Sequence, residues 1–63
     1  MIRFLWVADK YFAGSIGGEV EAVCKAAALE KAKAVIEKHP DAIVSTLRLT
    51  HQKSPNNKKW KTV

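Results

Sequence analysis

Glu19-Val20-Glu21-Ala22-Val23-Cys24-Lys25-Ala26-Ala27-Ala28-Leu29-Glu30-Lys31-Ala32-Lys33-Ala34-Val35-Ile36-Glu37-Lys38 is the stretch whose reading decides the fold. Alanine content alone makes it one long helix. Periodicity divides it. Wound as a single helix at about 100° per residue, the stripe Val20, Val23, Cys24 and Ala27 shares its direction with Lys31, while Leu29 and Ile36 fall on the opposite side. A helix started near Ala27 instead gathers Ala28, Leu29, Ala32, Val35 and Ile36 into one sector of about 120°, with Glu30, Lys31, Lys33, Glu37 and Lys38 outside it. Val20, Ala22, Cys24 and Ala26 then alternate along the inner face of a strand. The strand-then-helix reading is preferred, although no Ser, Thr, Asp or Asn stands at the helix start to cap it. One continuous helix over 19–38 is the competing reading.

Working outward, Ile2-Arg3-Phe4-Leu5-Trp6-Val7-Ala8 is rich in strand formers and closes on Asp9 and Lys10, so it reads as a first strand. Residues 9–18 hold all three glycines and read as a hairpin connection, with Tyr11 and Phe12 as a further extension of the strand. Downstream, His39-Pro40-Asp41 ends the helix, because Pro lacks a donor and turns His39 away from helical geometry. Ala42–Gln52 reads as a third strand, with Leu47 and Leu49 inward and Arg48 and Thr50 outward. Lys53-Ser54-Pro55-Asn56-Asn57 is dense in turn formers, and residues 58–63 supply a short fourth edge strand.

The expected order is β-β-α-β-(β), an α+β fold with a small antiparallel sheet and one helix on one face. In the first strand Ile2, Phe4 and Trp6 alternate with Leu5 and Val7, so one apolar set is left on the uncovered face. Such a face is either an interface or is covered by Tyr11, Phe12 or the tail.

At 63 residues the chain has room for a single domain, spanning residues 1–63 with a basic C-terminal segment at 53–63. A chain of this size buries only about 60% of its unfolded surface, which favours a homodimer or a permanent partner. Hydrophobic residues at 48% and charged residues at 27% argue against disorder. Cys24 is the only cysteine, so a disulfide-stapled scaffold is excluded and a reducing cytoplasm is the expected location. The apolar start is too short and too charged for a signal segment or a membrane span, and no membrane association is expected.

Residues 1–41 balance their acids and bases, whereas 42–63 hold Arg48, Lys53, Lys58, Lys59 and Lys61 and no acid, so this third carries the whole net charge of +5. A patch of this kind steers towards phosphates or acidic protein surfaces; a solvated basic tail is the plainer alternative. Trp60 between Lys59 and Lys61 would let a base stack while ammonium groups meet phosphates, or would simply pin the last strand. Arg48, Lys53, Lys58, Lys59, Trp60 and Lys61 are therefore the candidate partner-binding or nucleic-acid-binding residues.

Catalytic chemistry is poorly supplied. Cys24 falls on the expected inner strand face, where a thiol is a small hydrophobe. His39 and His51 match no zinc spacing. Gly14-Ser15-Ile16-Gly17-Gly18 lacks the Lys-Ser/Thr ending of a phosphate-binding loop. No catalytic residue, metal site or cofactor is expected.

The run Ala26-Ala27-Ala28-Leu29-Glu30-Lys31-Ala32-Lys33-Ala34-Val35 after a strand at 20–24, followed by another strand and a late Lys59-Trp60, resembles small phage-encoded ββαββ proteins, among them members of the type I anti-CRISPR proteins and other host-takeover inhibitors. The resemblance lies in layout over most of the chain, and no functional residue carries over by identity. It implies a non-enzymatic inhibitor that docks on a bacterial protein or ribonucleoprotein complex in the host cytoplasm and blocks nucleic-acid access. A basic DNA- or RNA-binding module and a dimeric interaction domain are the alternatives.

Overall fold

A computed structural model of the chain describes residues 1–63. β1 (Ile2–Asp9) and β2 (Ser15–Ala22) form a hairpin, α1 (Lys25–Ile36) crosses back over the sheet, and a 3-10 turn (Val44–Thr46) leads into β3 (Arg48–Lys53) and β4 (Lys61–Thr62). The four strands make one antiparallel sheet in the order β2-β1-β3-β4. This is the expected α+β class and element order. The molecule is elongated, 38 × 18 × 13 Å, and none of its helices is long and apolar enough to cross a membrane.

Strand β1 is the centre of the sheet, and its alternation sorts the core. Phe4, Trp6 and Ala8 are buried beneath α1, leaving Leu5 and Val7 half-buried on the opposite, open face. Trp6 and Ala8 pack with Ala32, Ile36 and Ala42; Phe4 packs with Ala22 and Ala28. Leu49 and Val20 touch both groups, so the two form one thin layer. The helix lies mainly over β2 and β1, leaving the β3–β4 end of the sheet without a helical cover.

Four boundaries differ from the sequence reading. First, β2 reaches back through Gly17 and Gly18 to Ser15 instead of starting after the glycines. The indole of Trp6 lies so close to Gly18 that a Cβ there would meet ring atoms at 3.0 Å, so a glycine in the strand is what lets the ring lie flat. Only Gly14, at φ 84°, belongs to the turn proper. Second, β2 stops at Ala22, because its partner there is Ile2 and β1 offers no further residue to pair with. Cys24 is therefore not an inner strand residue; it is exposed and serves as the N-cap of α1, without a side-chain hydrogen bond. Ala26 is likewise exposed, in the first turn of the helix.

Third, α1 begins at Lys25 and buries Ala28, Ala32 and Ile36, while Leu29 and Val35 stay exposed: alanines fill the thin gap above the sheet, and Ile36 at the last turn is the one large helix side chain buried in it. Fourth, the third strand does not start at Ala42. Ala42 bridges Lys10, the Ile43 N–H donates to the Asp9 carbonyl at 2.8 Å, and the Thr46 hydroxyl donates to the Ile43 carbonyl at 2.7 Å, which turns the chain before β3 starts. The open face is covered neither by Tyr11 nor by Phe12, both of which are exposed in the β1–β2 turn.

Candidate functional site

A bulge in β3 decides which side chains share a face. Trp6 pairs with Leu49 and Leu5 with His51, so Thr50 is the extra residue, its hydroxyl donating to the Leu5 carbonyl at 3.3 Å. Beyond the bulge the alternation inverts: His51 and Lys53 lie on the open face, and Gln52 on the helix side. β4 continues this register, with Thr62 opposite His51 and Lys61 opposite Gln52.

The tail is thereby split between the two faces. Trp60 sits with Lys53, whose Nζ is 5.8 Å from the ring centroid, within reach of a cation–π attraction. Lys59 and Lys61 lie on the other side, in a hollow of about 220 Å³ lined also by Ile2, Gln52, Ser54 and Asn57. No carboxylate lines this hollow. The Lys53–Asn57 turn, closed by the Asn57 N–H on the Ser54 carbonyl at 3.0 Å, forms the ridge between it and a second hollow of about 340 Å³ on the open face. That second hollow is lined by Met1, Arg3, Glu21, Lys53, Ser54, Pro55 and Asn57. Its chemistry is different, because Arg3 is held by Glu21 at 3.2 Å and Glu19 at 3.4 Å, so its charge is already answered.

Of the six residues singled out from sequence, Lys59 and Lys61 share the acid-free hollow, Lys53 and Trp60 share the open face, and Lys58 is exposed beside them. Arg48 stands apart. It lies at the start of β3, whereas the tail pairs with the end of that strand; it is tied to Asp9 at 3.6 Å and donates to the Thr46 carbonyl at 2.9 Å. Trp60 and its flanking lysines therefore do not form a single stacking-and-phosphate surface. Gln52, Ser54 and Asn57 are polar residues of the site that charge and aromatic content did not single out. Their signal was local: Ser54 and Asn57 bracket the turn, and Lys59 and Lys61 have the two-residue spacing of one strand face.

The open face holds no unanswered charge of comparable density. Leu5 and Val7 lie between the Arg3–Glu19, Arg3–Glu21 and Arg48–Asp9 pairs. His, Cys, Asp and Glu side chains nowhere gather in a group of three that could hold a metal ion. The chain matches no family model, no curated protein and no solved structure.

Proposed function

We propose that this chain is a non-enzymatic binding protein of the phage-inhibitor kind, docking through its basic C-terminal end on a bacterial nucleic-acid-handling complex and blocking nucleic-acid access. The observation that carries this reading is the acid-free hollow, in which Lys59 and Lys61 stand with the polar groups of Gln52, Ser54 and Asn57. Two ammonium groups with amide and hydroxyl donors around them suit a phosphate or carboxylate surface. Lys58 and Lys53 extend the same positive field, which is felt over about 10 Å at 0.1 M salt. The layout likeness to ββαββ phage inhibitors agrees with a small protein that works by occupancy. Under this reading its place of action is the bacterial cytoplasm, and the bound surface is an acidic protein patch or the guide RNA of the complex.

Direct binding to DNA or RNA is the second reading. It is favoured by Trp60, a partly exposed indole at 37% with the Lys53 cation against its ring, the aromatic-plus-cation pairing on which bases stack. Capture from bacterial lysate with tagged protein, with and without nuclease, separates the two. A defined set of proteins that survives nuclease supports the inhibitor. Heterogeneous nucleic acid released by nuclease, with binding that falls steeply with salt, supports the second reading instead.

A further inference from the structure

The two edges of the sheet are unlike. β4 is two residues long, whereas β2 presents eight residues with no strand beyond it. A short, lysine-flanked edge resists pairing with another chain; a long one without Pro, bulge or inward charge invites it.

The groups that β2 leaves unpaired can be named. The Lys10 N–H donates to the Gly14 carbonyl at 3.2 Å, which makes that pair hydrogen-bonded, and strict alternation extends this to Ala8/Ile16, Trp6/Gly18, Phe4/Val20 and Ile2/Ala22. The backbone groups of Ser15, Gly17, Glu19 and Glu21 therefore point out of the sheet. Lys31 corroborates this phase, since its Nζ reaches the Glu21 carbonyl at 2.6 Å from outside. The other outward donors and acceptors have no partner within the chain.

We propose that β2 pairs antiparallel with β2 of a second copy about a two-fold axis through Gly18, giving a continuous eight-stranded sheet. The segment Ile16-Gly17-Gly18-Glu19-Val20 is its own complement in that register. Gly17 exchanges backbone bonds with Glu19 of the other copy, and Ser15 with Glu21, so every outward group meets its like-phased partner; the Glu21 carbonyl has a second lone pair for this beside Lys31. On the helix side Ile16 meets Val20 of the other copy, both half-buried and already packed on the core. On the open face each Glu faces Gly or Ser, and both are ion-paired to the one Arg3 of their own chain, which leaves a single negative charge over the three groups. Centring the pair on Glu19 would oppose two carboxylates, and centring it on Gly17 would set Ile16 against Gly18 and lose the apolar contact. Of these three registers, the one centred on Gly18 satisfies both faces. A chain that buries just 8 of its 63 residues gains from such an extension.

The test is the solution mass of the full chain by light scattering across micromolar concentrations, beside the variant Glu19→Pro, which deletes an outward N–H while leaving every β1 bond in place. Twice the 7.0 kDa chain mass for the native protein and monomer for the variant is the expected result. A monomeric native protein, or a variant that still dimerises, overturns the proposal. Register is read independently by Ser15→Cys with Glu21→Cys in a Cys24→Ser background, where mild oxidation should give a covalent dimer; this arm also serves if Glu19→Pro does not fold. Absence of that cross-link in a folded protein contradicts the register. A native chain that stays monomeric and protects the amides of Gly17 and Glu19 only when another protein is added would assign this edge to a different partner.

Discussion

Gly18 and Thr46 carry more of the architecture than their size suggests. With the Trp6 indole at 3.0–3.1 Å from where a Cβ would stand, Gly18→Ala forces a ring that is 5% exposed to move. The expected loss is about 1–3 kcal/mol, read by urea denaturation. The Thr46 hydroxyl accepts the Asp9 N–H at 2.8 Å while donating to the Ile43 carbonyl. Thr46→Val keeps the shape and removes both bonds, leaving a part-buried N–H unsatisfied, so thermal unfolding should show a loss of about 1–3 kcal/mol. Neither role was legible in sequence. Gly18 looked like one of three loop glycines, because nothing in a one-dimensional pattern says that an indole four strand positions from the turn will lie on it. Thr46 looked like a β-branched strand residue, and its turn depends on where β1 ends.

At the scale of elements, what sequence showed well was alternation within β1 and the stop at His39-Pro40; what it misjudged were the ends of β2 and α1. Those ends are set by partners. β2 halts where β1 runs out at Ile2, and that frees Val23 and Cys24 to lead into a helix that propensity would have begun earlier and the apolar sector later. The missing cap noted in the sequence is real: Cys24 has the extended geometry of an N-cap, with φ −154° and ψ 171°, but makes no side-chain bond, and the first turn holds no acid. Cys24→Asp should therefore stabilise the protein by about 0.5–1 kcal/mol, through a capping bond and through a negative charge at the positive end of the helix. Chemical denaturation measures it, and no gain would mean that the exposed N–H groups at this end are already satisfied by water at no cost. The bulge at Thr50 is the element-scale feature that matters most for function. It sends Gln52 and Lys61 to one face and Lys53 and Trp60 to the other, and sequence gives no direct sign of it.

Across the whole molecule, the excess charge gathers at one end of the sheet. Acids and bases are equal in number over residues 1–41, and Arg3, Lys10 and Arg48 stand in ion pairs, whereas Lys53, Lys58, Lys59 and Lys61 at the uncovered β3–β4 end have no ion-pair partner and make it a cationic tip. The charge partition along the chain anticipated this directly, because it survives any error in element boundaries. Arg48 was misplaced in that grouping for the converse reason: proximity in sequence put it with the tail, whereas the strand it opens carries it to the far end and into a pair with Asp9. An exposed pair of that kind is worth less than about 1 kcal/mol.

The most direct measurement replaces Lys58, Lys59 and Lys61 together by Glu and compares capture of nuclease-resistant proteins from bacterial lysate with that of the native chain, folding being checked by circular dichroism. All three lysines are exposed, so the fold should persist. Binding through the cationic tip predicts capture weakened at least about tenfold, or about 1.4 kcal/mol. The same proteins retained at the same level by a folded variant would contradict it and remove the tail from the mechanism.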